Sequence, residues 1–255
     1  MQWRRQPSVE RFLRRPEGPL VYAHRGAHAE SAPENTVAAF ERALALGVDG
    51  VELDVRLTRD GQLMVFHDRT LQRLVGRPER LGELDYRDLS DCRVDGHSIP
   101  SLDDALDVLC GRGCFVNIEV KGDDGRKIEA ARRLSLALRR RSPSERGLMM
   151  MSTFSPRILF AFQLANPDLP AAFLFDAPHT GLRRAGAALE FLRPRGVHPE
   201  HVVVTEPRLQ RWRRGGFVNV WTVDKEEELR RVDALGVDGV ITNRPEEALA
   251  ILRAG

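Results

Sequence analysis

Residues 46–55 read Leu46-Gly47-Val48-Asp49-Gly50-Val51-Glu52-Leu53-Asp54-Val55, and the first six letters recur unchanged as Leu235-Gly236-Val237-Asp238-Gly239-Val240. Each copy follows an apolar, alanine-containing stretch of helical period and leads into a buried-strand pattern. Gly47 and Gly236 stand where a helix closes on a left-handed residue, a conformation glycine adopts without a Cβ penalty. Two helix-to-strand joints with one spelling, one near each end of the chain, predict a closed ring of similar units. Helix-cap chemistry alone is the competing account of six shared letters.

Working outward, apolar runs fall near 20–24, 50–56, 62–67, 115–120, 148–152, 171–175, 201–204, 217–222 and 238–241. Between them lie Ala/Leu/Arg/Glu-rich stretches of helical period near 35–46, 102–110, 126–140, 155–165, 182–192, 206–214, 225–235 and 245–253. This alternation predicts an α/β fold with a largely parallel sheet and helices outside, of the size of a TIM (β/α)8 barrel. Nine runs are one too many, so one should be a loop or a distortion. Only Thr58-Arg59-Asp60-Gly61 separate the second run from the third, too few for a crossover helix, and Asp-Gly is a turn signal. The distortion is therefore expected near strands 2–3, as a hairpin. Pairing Leu57 with Gln62 would set His67 opposite Glu52.

The chain has 255 residues, 42% hydrophobic and 30% charged, enough to bury a full core. Residues 20–255 are read as one barrel domain and residues 1–19 as a basic N-terminal arm. Lys plus Arg number 39 against 37 Asp plus Glu, and a net charge of +2 argues against a nucleic-acid partner. The arm lacks the apolar run of about 7–15 residues that a signal peptide requires, and no stretch reaches the roughly 18 apolar residues of a transmembrane helix. Trp3, Phe12 and the arginines of the arm suit weak contact with a membrane surface; a solvated or packed arm is the plainer reading. Cys92, Cys110 and Cys114 are an odd set with no second pair to complete a zinc site, which fits a reduced, cytoplasmic protein.

The residues with chemical potential gather at strand ends. Side chains alternate along a strand, so Glu52 and Asp54 share a face, as do Glu119 and Lys121. Lysine is scarce here, only Lys121, Lys127 and Lys225, which sets Lys121 apart from surface filler. Three converging carboxylates repel one another unless arginines such as Arg25 or Arg56 tie them up or they share a divalent cation. Oxygen-only ligation favours Mg²⁺ or Ca²⁺ over zinc, with Mn²⁺ as a third candidate. His24, after Val21-Tyr22-Ala23, and His67, after Val65-Phe66, flank the carboxylates as a candidate acid/base pair. Such a pair beside a Lewis-acidic metal, Arg25 and Lys121 suits phosphodiester cleavage. Ser31-Ala32-Pro33-Glu34 has capping-box spacing before the helix at 35–46, which leaves Asn35 free to support the site. Trp221 ends a strand and is read either as a pocket wall or as core. Gly26, Gly61 and Gly216 read as turn glycines. His28, His97, His179, His198 and His201 lie in loop-like polar segments and are assigned no role.

Taken together, Ala23-His24-Arg25-Gly26, Pro33-Glu34-Asn35-Thr36, Gly50-Val51-Glu52-Leu53-Asp54-Val55, Val65-Phe66-His67-Asp68 and Ile118-Glu119-Val120-Lys121 resemble the glycerophosphodiester phosphodiesterase family. Ile99-Pro100-Ser101-Leu102, Ser152-Thr153-Phe154, Val220-Trp221-Thr222-Val223 and Asp238-Gly239-Val240-Ile241-Thr242 extend the likeness over roughly residues 20–253. Singly these motifs are weak; their order and spacing together are specific.

The resemblance implies a TIM barrel in which Glu52, Asp54 and Glu119 hold one divalent cation, His24 and His67 exchange protons, and Arg25 and Lys121 grip the phosphate. It also implies a small insertion over about 68–100 that caps the mouth and shapes substrate choice. The chain departs from the family's Thr/Gly-rich pattern at Arg69-Thr70-Leu71-Gln72-Arg73-Leu74-Val75-Gly76, and Asp224 replaces an asparagine often found there. Both departures bear on the leaving group. The expected reaction is hydrolysis of a small glycerophosphodiester to sn-glycerol 3-phosphate and an alcohol. Cleavage of lysophospholipids or phosphoinositides, isomerase chemistry on the same phosphate site, and a non-catalytic phosphate-binding scaffold are the alternatives.

Overall fold

The computed structural model describes residues 7–122, 125–177, 186 and 189–253. In chain order its strands are β1 (Leu20–His24), β2 (Gly50–Leu57), β3 (Leu63–Val65), β4 (Arg93–Val94), β5 (His97–Ser98), β6 (Phe115–Val120), β7 (Met149–Thr153), β8 (Ala171–Phe175), β9 (Gly196–Pro199), β10 (Phe217–Val220) and β11 (Gly239–Thr242). β1, β2 and β6 to β11 are parallel neighbours in a ring closed by the pairing of β1 with both β2 and β11, which is the TIM barrel. Helices Val37–Leu46, Leu102–Cys110, Lys127–Arg139, Pro156–Ala165, Glu206–Arg213, Glu226–Leu235 and Pro245–Arg253 fall where the helical period puts them. Most of the helix expected over 182–192 lies outside the described residues, as do His179 and Trp3.

The repeated hexapeptide is a structural unit. Gly47 and Gly236 cap their helices at φ 74° and 82°. The two aspartates then act alike: Asp49 accepts from the Val21 backbone N–H at 2.8 Å and Asp238 from that of Val218 at 2.9 Å, each tying its own strand to the neighbouring one. Gly50 and Gly239 follow, facing the barrel interior. A Cβ on Gly50 would lie 2.4 Å from the Tyr22 ring, so glycine is what lets that ring fill the barrel.

Three local expectations are corrected. β3 is the ninth run, an antiparallel strand added to β2, but Leu57 pairs with Leu63 rather than Gln62. The turn closes over three residues because Gly61 takes φ 83° while Thr58 bonds Gln62 through both backbone and hydroxyl. His67 is consequently placed beyond the end of β3. The strand read at 201–204 lies instead at Gly196–Pro199, and residues His201–Val203 form one 3₁₀ turn. A run of Gly-Val-His-Pro carries little apolar signal, yet Gly196 is needed there because a Cβ would sit 2.3 Å from the Phe217 ring. Finally, the helix expected over 35–46 begins at Val37 with Thr36 as its cap, the Ala39 N–H donating to Oγ1, so Ser31 and Glu34 form no capping box. Glu34 pairs with arginines instead.

The barrel floor is apolar. Val9 and Phe12, ahead of β1, pack under the barrel with Leu20, Tyr22, Phe115, Met150 and Phe217. The Phe12 ring lies 5.1 Å from Phe115 and 5.6 Å from Phe217, which withdraws it from any membrane contact. Arg14 and Arg15 pair with Asp233 and Asp49, and Arg253 reaches Asp49 and the Glu17 and Pro19 carbonyls. Between β3 and the helix at Leu102 the chain builds a separate small core from Phe66, Leu71, Leu81, Leu89, Cys92, Val94 and Ile99, with β4 and β5 as a hairpin.

Candidate active site

β1, β2 and β6 deliver the charged side chains to the mouth of the barrel. Register pairs His24 with Glu52 and Asp54 with Glu119, so all four stand on adjacent strands. One oxygen from each of Glu52, Asp54 and Glu119 lies within 4.8 Å of the others, and all three residues are buried. Lys121 Nζ sits 2.8 Å from Asp54 Oδ1 and also bonds Glu119. Arg25 Nε lies 3.3 Å from Asp54, and Asn35 Nδ2 donates to Asp54 Oδ2 at 2.9 Å. Arg56 Nε donates to the His67 carbonyl at 2.8 Å. Arg25 and Asn35 both take left-handed backbone conformations, φ 57° and 59°, a local strain tolerated where function fixes the geometry.

Charge in this cluster does not balance. Lys121 is shared between Asp54 and Glu119, and Arg25 between Asp54 and Glu34. Burial pushes the Asp54 carboxyl upward, but Lys121 and Arg25 outweigh it and hold it well below the ordinary range. Burial, together with Asp54 and Glu119, drives Glu52 well above its ordinary value. Glu119 is likewise raised by burial, against the pull of Lys121. Among the described residues, Glu52 Oε2 receives only the Arg25 backbone N–H at 3.2 Å, and its Oε1 is buried with no hydrogen-bond partner. A buried, unpartnered carboxylate oxygen aimed at two more carboxylates fits a hard divalent cation.

The two imidazoles are held differently. His24 Nε2 stands 3.8 Å from Glu52 Oε2, while its Nδ1 bonds Asn243 Oδ1 at 2.7 Å. Burial, reinforced by Arg25, lowers His24 to about 4, so the ring is neutral at pH 7. His67 Nδ1 bonds Asp68 Oδ1 at 2.7 Å, and burial lowers it against the opposing pull of Asp54. From Asp68 an ionic chain runs through Arg73 to Glu34, which also binds Arg25 at 2.7 Å. Trp221 is half-buried at the end of β10, its Nε1 donating to the His198 carbonyl and its ring edge-on to Phe154 at 5.6 Å. Asn243, Asp68, Glu34 and Arg73 lie at the site beyond the candidates the sequence offers, and Asp224, marked in the sequence as a departure from a family asparagine, bonds Asn243. Asn243 follows β11 as His24 ends β1, a strand-end position that was its one visible signal. His198, read as loop, is a fully buried residue of β9.

A family model described as the glycerophosphoryl diester phosphodiesterase family matches residues 24–247. The chain belongs to that family. A glycerophosphodiester phosphodiesterase of Caldanaerobacter subterraneus subsp. tengcongensis is 31% identical over 250 residues, covering 92% of this chain and 98% of that one. Among solved structures, an Oleispira antarctica phosphodiesterase in complex with the product sn-glycerol-3-phosphate superposes with a TM-score of 0.82 at 25% identity, over 92% of this chain and 97% of that one. A glycerophosphodiester phosphodiesterase from Parabacteroides distasonis gives 0.80 at 25% identity, over 93% and 98%. The matched range takes in His24, Glu52, Asp54, His67, Glu119, Lys121 and Trp221, together with Asn243 and Asp224.

Proposed function

We propose that this chain hydrolyses glycerophosphodiesters to sn-glycerol 3-phosphate and an alcohol, with His24 and His67 as its proton-transfer pair. The observation that carries the reading is the buried Glu52, Asp54 and Glu119 cluster bordered by two histidines whose Nδ1 atoms are each tied to a fixed oxygen. One imidazole removes the proton of the glycerol 2-hydroxyl, whose oxygen attacks phosphorus. The other protonates the departing alcohol oxygen, and water then opens the cyclic phosphate with the two roles exchanged. Arg25 and Lys121 face the phosphoryl group, and Phe154 with Trp221 walls the side of the mouth. A divalent cation held by Glu52, Asp54 and Glu119, Mg²⁺ or Ca²⁺ by its oxygen donors, would supply charge neutralisation at the phosphoryl oxygens.

No described helix is long and apolar enough to cross a membrane, and three buried free thiols suit a reducing compartment, so a small soluble substrate met in the cytoplasm is our reading. The test is a panel of glycerophosphocholine, glycerophosphoethanolamine, glycerophosphoinositol and a lysophospholipid, each assayed with Mg²⁺, Ca²⁺ or Mn²⁺ and with excess EDTA. Release of sn-glycerol 3-phosphate from the water-soluble diesters, abolished by EDTA and restored by metal, is the expected result. Turnover that needs a lipid tail, or that survives EDTA, overturns it.

A further inference from the structure

Asp224 follows β10 and Asn243 follows β11, and three hydrogen bonds clasp the two loops: Asn243 N to Asp224 Oδ1 at 2.8 Å, Asn243 Nδ2 to Asp224 Oδ2 at 2.7 Å, and Thr242 Oγ1 to Asp224 Oδ1 at 3.1 Å. An ionised carboxylate only accepts. The face of the Asn243 amide that meets Asp224 must therefore be its NH₂, and the chemistry of the pair, not a choice between look-alike atoms, turns Oδ1 toward the site. That oxygen also only accepts. It takes His24 Nδ1 at 2.7 Å and His28 Nε2 at 3.1 Å, so His24 carries its ring proton on Nδ1. Its Nε2 is left as a lone pair 3.8 Å from Glu52 Oε2, facing the carboxylate cluster.

We infer that Asp224 is a positioning residue, acting through Asn243 to hold His24 in the Nδ1–H tautomer with Nε2 free to accept a proton at the site. Asp224 never touches the reacting atoms; it sets which ring nitrogen does. His67 differs, because a carboxylate receives its Nδ1 and favours the charged ring over the neutral one, where Asn243 offers His24 only a neutral amide oxygen. The two histidines thus enter the reaction with unlike supports.

Asp224→Asn tests this with no change of shape. The new amide offers its NH₂ to Asn243 Oδ1, which turns the Asn243 NH₂ toward His24 and favours the Nε2–H ring. The exchanged pair, Asp224→Asn with Asn243→Asp, restores an acceptor opposite Nδ1. Long-range proton–nitrogen NMR spectra of the His24 ring should show Nδ1–H in the wild type and the exchanged pair, and Nε2–H in Asp224→Asn. With glycerophosphocholine and Mg²⁺, kcat of the single variant should fall roughly 10²-fold at near-constant KM, and the exchanged pair should recover most of it. An Nε2–H ring in the wild type overturns the inference, as does an unchanged tautomer in the single variant or an exchanged pair that folds yet is no better than the single. The kinetic arm rests on the phosphodiesterase reading; the spectra do not, so absent turnover in the wild type would sink that reading while the ring patterns still decide this one.

Discussion

The floor and the mouth of this barrel are built from the same strands to opposite ends. At the floor, Phe12, Phe115 and Phe217 meet ring against ring, with glycines giving them room. At the mouth, β2 and β6 crowd three carboxylates together, and among the described residues Glu52 Oε1 is buried with no hydrogen-bond partner. Burial at the floor lowers the free energy of the fold, whereas at the mouth it raises that of the charged groups. Stability and reactivity are thereby separated along one axis a few residues long.

The sharpest way to break that division is Glu52→Ala. Turnover should fall by roughly 10³-fold or more, while urea unfolding of the metal-free protein shows equal or greater stability, because repulsion with Asp54 and Glu119 is relieved. A clear loss of stability would erase the contrast. Phe12→Ala makes the complementary test at the floor. Removing a ring that is 1% exposed should cost about 3–5 kcal/mol by urea titration, with kcat of the folded fraction unchanged. If kcat dropped instead, the floor would be part of the catalytic frame.

Between the two levels lies His198, fully buried on β9. Burial lowers it to about 3, below the ordinary value near 6.5 that it regains on unfolding. The unfolded chain therefore binds the extra proton first. This contribution is complete above pH 6.5 and is lost as pH falls toward 3, amounting to about 2 kcal/mol between pH 7 and pH 5. His198→Asn should flatten that part of the pH–stability curve; an equal slope in both proteins would show that other groups carry it. The smallest effect belongs to the rim. Arg73 is half-exposed, bonding Asp68 at 2.5 Å and Glu34 through both oxygens. Arg73→Ala should lower kcat/KM by roughly five-fold, about 1 kcal/mol, with no change in folding. An unaltered kcat/KM would mean that the ionic chain from Asp68 to Arg25 positions nothing.

Most of the barrel was legible because strand after strand carries a dense apolar run, and the repeated hexapeptide marks two of its joints. The failures share a cause. β9 was misplaced since Gly196 and His198 serve the barrel interior, where a small residue beside Phe217 and a buried imidazole satisfy space rather than hydropathy. The hairpin register slipped by one because a left-handed Gly61 shortens the turn. At the site, Glu52, Asp54, Glu119, His24 and His67 announced themselves as charges inside or beside apolar runs. Asn243 did not, and Asp224 stood out only as a departure from a family asparagine, because their part depends on two loops that meet only once the ring is closed.

That closure has a consequence for how the molecule comes to exist. β1 is synthesised early, but one of its two edges is completed by β11, and Arg253 then fastens the floor through Asp49 and the Glu17 and Pro19 carbonyls. A nascent chain must therefore hold an open strand edge from the synthesis of β1 until that of β11. Ribosome-bound intermediates of this protein should be clients of holding chaperones until β11 and the helix Pro245–Arg253 clear the exit tunnel.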